Sequence, residues 1–68
     1  MKRNRAKRVS FLIEQGWEPV QERQITMWRD PHPSPRPGGG TRHQVLWPHE
    51  AEFRADCRVA LVRRVMED

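Results

Sequence analysis

The stretch Asp30–Gly40 constrains this chain most. It reads Pro31-His32-Pro33-Ser34-Pro35-Arg36-Pro37 followed by Gly38-Gly39-Gly40. Neither a helix nor a central strand tolerates alternate prolines, because each removes a backbone donor and fixes φ. The prolines stiffen the first part toward polyproline II, and the glycines let the chain turn sharply back. The segment 30–41 is therefore expected to be the loop of a hairpin. Two readings follow: a flexible tip, or a partner-touching loop that orders on binding. No two of these prolines are three apart, so the PxxP pattern of an SH3 ligand is absent.

Before this stretch the pattern is helical and then extended. Over residues 4–15, Ala6, Val9, Leu12 and Ile13 fall on one face at helical spacing, opposite Lys7, Arg8 and Glu14. Gly16 can adopt the positive φ of a helix stop, and Trp17 is placed to fold back on Leu12. Over residues 18–30 the period changes to two. Val20 lies in one short run and Ile25–Arg29 in the next, with a tight turn at Glu22-Arg23-Gln24. Ile25 and Met27 face one way, Thr26 and Trp28 the other. Pro19 points to a sheet edge for the first run.

After the loop, Arg42–Trp47 reads as a third strand, ended by Pro48. The chain from there to Met66 reads as a helix. Glu50 and Glu52 near its start and Arg63 and Arg64 near its end complement the helix dipole. Its apolar residues form two stripes: Phe53, Cys57, Ala60 and Leu61 on one, Ala55, Val59, Val62 and Met66 roughly opposite. One stripe is expected on the sheet. The other needs helix 1, a second copy or another partner, and a homodimer through the last helix is one solution. The expected fold is α+β in the order α-β-β-β-α, with a three-stranded antiparallel sheet carrying two helices on one face. Residues 1–68 form one small domain with a basic, partly flexible start at 1–8.

In 68 residues only about 60% of the unfolded surface can be buried, so the core is thin. Three tryptophans and two phenylalanines compensate in part. Thirteen Lys and Arg against nine Asp and Glu give a net charge of +4, which favours acidic partners. The single cysteine allows no internal disulfide, and no apolar run is long enough for a membrane span, so a soluble, cytoplasmic protein is expected.

Groups for catalysis are sparse. His32, His43, His49 and Cys57 show no metal-binding spacing, so neither a metal nor another cofactor is expected. Gly38-Gly39-Gly40-Thr41 lacks the Gly-Lys-Ser/Thr ending of a phosphate loop and precedes a strand. Ser10 and Ser34 sit in no nucleophile elbow, and Cys57 is expected as a buried, inert thiol. The chain reads as a binding protein and not as an enzyme. Its candidate contact residues are Arg3, Arg5, Lys7, Arg8, Arg23, Trp28, Arg29, Arg36 and Arg42. Trp28 carries two readings: it fills the core, or, flanked by arginines, it stacks bases.

Leu12-Ile13-Glu14-Gln15-Gly16-Trp17-Glu18-Pro19-Val20 resembles the opening of HicA-type toxins, RNA-binding interferases with a double-stranded-RNA-binding-domain-like α-β-β-β-α fold. That family carries its catalytic histidine in a Gly-Ser-His stretch after the first strand, where this chain has Glu22-Arg23-Gln24. The resemblance implies the fold and RNA or DNA binding without nuclease activity. Gly16-Trp17-Glu18 and Trp28-Arg29-Asp30-Pro31 also resemble short accessory proteins of phages and mobile elements, among them anti-CRISPR inhibitors. That resemblance implies a protein that occupies the surface of a host nucleoprotein complex and needs no catalytic residue.

Overall fold

The computed structural model describes residues 2–67, with the backbone alone at residue 67. Helix α1 (Arg5–Glu14) is followed by strands β1 (Glu18–Glu22) and β2 (Ile25–Arg29). The short strands β3 (Ser34–Pro35), β4 (Thr41–Arg42) and β5 (Val45–Leu46) come next, and helix α2 (Pro48–Glu67) closes the chain. The main sheet is antiparallel in the order β1-β2-β5, and β3 and β4 form a second, two-stranded sheet. With that small hairpin set aside, the order is α-β-β-β-α.

Local chemistry fixes the first half. Asn4 caps α1 by accepting a hydrogen bond from the Lys7 N–H at 2.9 Å. At the other end the Trp17 N–H reaches the Leu12 carbonyl at 2.9 Å and the Gly16 N–H reaches that of Ile13 at 3.0 Å. This is the paired closure of a Schellman stop, with Gly16 at φ 91°. Its apolar partners, Trp17 and Leu12, both enter the core. Glu22 pairs with Ile25, so β1 and β2 are joined by the two-residue turn Arg23-Gln24. Arg23 takes φ 54° there, the left-handed conformation for which Asn or Gly is the usual choice. Thr26 donates to the Gln21 side chain at 2.9 Å, and Gln21 donates to the Arg23 carbonyl at 3.2 Å, which holds the turn closed.

The core consists of Leu12, Trp17, Trp28, Ala51 and Ala55, with Phe11 and Leu46 packed against it. Trp28 pairs with Leu46 across the sheet, so these two side chains share the face that carries the helices. Small residues at Ala51 and Ala55 let α2 approach the tryptophans closely. Burying a Trp or Leu side chain contributes about 1.5–3 kcal/mol, so these few residues dominate the stability of the fold.

Three expectations change. The inward face of α1 is Leu12 with Phe11 and Arg8, while Ala6, Val9 and Ile13 are exposed. Arg8 on this face is bonded to Glu52 of α2 at 3.0 Å. The third strand is only Val45–Leu46, because Thr41–Arg42 instead pairs with Ser34–Pro35. The Pro/Gly segment thus closes on itself, with Arg36 and Gly40 joined at 3.1 Å. Finally, Cys57 is exposed rather than buried. α2 is anchored through Ala51 and Ala55 and through Arg54 and Arg58 on Asp30, and the stripe of Phe53 and Cys57 points away from the sheet.

Candidate binding surface

Asp30 organises the end of the sheet from which the rest of the surface extends. Its carboxylate is fully buried at 0% exposure. Arg58 forks onto it at 2.6 and 2.8 Å, Arg54 donates at 3.0 Å, and the His32 N–H donates at 2.9 Å. Burial pushes the Asp30 pKa up, but the Arg58, His32 and Arg54 hydrogen bonds outweigh it and hold the group at about 2. Its backbone N–H reaches Gln44 at 2.8 Å, and its carbonyl meets the His43 ring at 2.8 Å. One residue therefore joins the end of β2, the loop, the approach to β5 and α2. The Arg58 guanidinium also lies 5.6 Å from the Trp17 ring centroid.

A second ionic group ties the N-terminus to α2. Arg3 bonds Glu52 at 3.2 Å and Asp56 at 2.9 Å, and Arg8 bonds Glu52 at 3.0 Å. Arg3 also stacks on Phe11 at 3.6 Å, and its pKa is raised chiefly by the Asp56 hydrogen bond. Arg29 pairs with Glu18 across β1 and β2 at 2.6 Å.

These contacts divide the residues singled out from the sequence. Arg3, Arg8 and Arg29 are held by the chain's own carboxylates. Trp28 is 2% exposed and is a core residue, so its base-stacking role is withdrawn. Its pairing with Leu46 points it under the helices, while Ile25 is exposed at 44%. Arg5, Lys7, Arg23, Arg36 and Arg42 are exposed and make no ion pair among the described residues, as is also true of Lys2. Arg23, Arg29, Arg36 and Arg42 are spread over the two hairpins. Arg23 sits at the β1–β2 turn and Arg29 at the far end of β2, while Arg36 and Arg42 belong to the second hairpin. Arg5 and Arg8 line a groove of ≈ 390 Å³ whose apolar wall includes Val9, Ile25, Trp28 and Pro48.

Sequence reasoning missed two features. Trp47, at 47% exposure, is the tryptophan that meets solvent. It lies in the one-residue link between β5 and α2. The Asp30 node also went unseen, although Arg54 and Arg58 at i,i+4 on one helix are the pattern of a two-armed carboxylate clamp. Among the described residues, no group of three or more His, Cys, Asp or Glu side chains comes together as for a metal ion. No described helix is long and apolar enough to cross a membrane. No family model matches the sequence, and no curated protein or solved structure matches it significantly.

Proposed function

We propose that this chain is a non-catalytic binding protein, an inhibitor of the anti-CRISPR type that docks on a nucleic-acid-processing complex of a host cell. One observation carries the reading. The protein pairs Arg3, Arg8, Arg29, Arg54 and Arg58 with its own carboxylates, yet leaves Lys2, Arg5, Lys7, Arg23, Arg36 and Arg42 exposed and unpaired among the described residues. Unpaired surface cations raise the rate of encounter with an anionic partner and favour it over neutral ones. Spread over α1 and two hairpin tips, they suit a broad, shaped acidic surface better than a single strand of nucleic acid. Trp47 supplies an exposed aromatic anchor of the kind that dominates protein interfaces.

The order α-β-β-β-α with both helices on one face favours a second reading, a nuclease-free nucleic-acid-binding module. The two are separated by titrating the chain against bare RNA, bare DNA and a purified RNA-guided effector complex. The inhibitor reading expects tight binding to the complex and loss of target cleavage, with weak binding to either free nucleic acid. The module reading expects bare RNA or DNA to bind, with log K falling by about 0.9 per phosphate contact against log salt on a duplex. Absence of binding to all three contradicts both.

A further inference from the structure

Beyond Val59, α2 buries no described side chain against the rest of the chain. The helix runs for 20 residues, about 30 Å. Its buried residues, Ala51 and Ala55, lie in the first half, and beyond Val59 every described side chain is exposed. Among these are Leu61 at 60% and Val65 at 76% exposure. On the side away from the sheet, Phe53 at 71% exposure continues into Cys57, Ala60 and Leu61. A contiguous apolar strip on a projecting helix calls for a cover.

We propose that a second copy of this chain covers it, with the two α2 helices packed antiparallel across a two-fold axis at Cys57. The charge order on the helix selects this arrangement. With Cys57 opposite its own copy, Phe53 meets Leu61 of the second copy and Glu50 meets Arg64. Acid therefore faces base at both ends, and the helix dipoles oppose. A parallel pair would set Glu50 against Glu50 and Arg64 against Arg64. The shape agrees. Glu50, Phe53, Arg54 and Cys57 stand at positions i, i+3, i+4 and i+7, the four corners of a hole for one side chain of a facing helix. Along the same residues and His49 runs an open groove of ≈ 760 Å³, and Leu61 of the second copy is the knob that the register delivers to it. Each projecting half-helix then lies over the anchored half of the other copy. The dimer stands apart from the docking proposal, because it uses none of the unpaired cations named there.

Sedimentation equilibrium of the full chain, under reducing conditions, is expected to show a dimer at sub-millimolar concentration. L61R should return it to monomer with its circular dichroism unchanged. Register is read in a C57S background by mixing the single variants E50C and R64C under a mild diazene oxidant. The oxidant takes up the two protons and two electrons released as two thiols join in a disulfide. The expected product is the mixed E50C–R64C disulfide, with little of either homodimer. A persistent monomer would overturn the proposal, and so would E50C linking mainly to itself, the mark of a parallel pair. If L61R unfolds the chain, the cysteine mixture still decides.

Discussion

Arg58 reaches across from α2 to grip the buried carboxylate of Asp30 with two hydrogen bonds, at 2.6 and 2.8 Å. The two residues lie 28 apart in sequence, and Arg54, one helical turn earlier, grips the same carboxylate at 3.0 Å. The clamp fastens the anchored half of α2 to the end of the sheet. The placement of the loop and of β5 depends on it.

Replacing Asp30 with Ala is expected to destabilise the fold by about 3 kcal/mol, since it leaves two guanidinium groups and the His32 N–H without their partner. Urea unfolding followed by tryptophan fluorescence measures this. A change below about 1 kcal/mol would mean that the clamp is incidental.

The same carboxylate predicts the acid limb of the stability profile. Its pKa falls from the ordinary 3.8 to about 2 on folding. A depressed carboxylate stabilises the fold at pH values above the unfolded pKa, and that stabilisation disappears as pH falls through the folded one. The fold should therefore lose about 2 kcal/mol between roughly pH 5 and pH 2. In D30N this part of the loss should be absent. Thermal unfolding across that range checks the slope in both proteins.

The tryptophans should separate cleanly. Trp28→Ala removes one of the two core tryptophans and should cost about 3–5 kcal/mol. Trp47→Ala, at a half-exposed site between β5 and α2, should cost less than about 1 kcal/mol. Iodide quenching of single-tryptophan variants tests the same assignment: Trp47 quenched strongly, Trp28 hardly at all.

Gly16→Ala should cost about 1 kcal/mol. The reason is backbone strain and not a clash. At φ 91° an alanine is disfavoured, while the nearest atom to an added Cβ is Pro31 Cβ at an ordinary 3.6 Å. Chemical denaturation measures it, and a neutral substitution would count against the Schellman stop as a determinant of this corner.

The Gly16 corner was legible from the sequence because its determinants are neighbours: a helical period, a glycine and an aromatic residue that folds back. The order α-β-β-β-α was legible for a similar reason, since each period switch lies between short local signals. What could not be read depended on contacts across the chain. Ile25 and Met27 against Thr26 and Trp28 gave two faces but not their orientation, which the pairing of Trp28 with Leu46 decides. The exposure of Cys57 follows from which stripe of α2 meets the sheet, and there two small alanines won over the larger Phe53. The division of arginines into paired and unpaired was also hidden. Glu52 serves Arg3 and Arg8 from more than forty residues away.

That division is tested most directly by charge reversal in two sets. R5E/R36E/R42E removes exposed cations that have no partner among the described residues, and R29E removes one that is already paired with Glu18. Affinity for the RNA-guided effector complex is to be measured at one fixed salt concentration, beside the unfolding midpoint of each variant. The triple variant should bind on the order of a hundredfold more weakly at an unchanged midpoint, and R29E should bind within about threefold of the parent. Equal affinity in the triple variant and the parent would contradict the account.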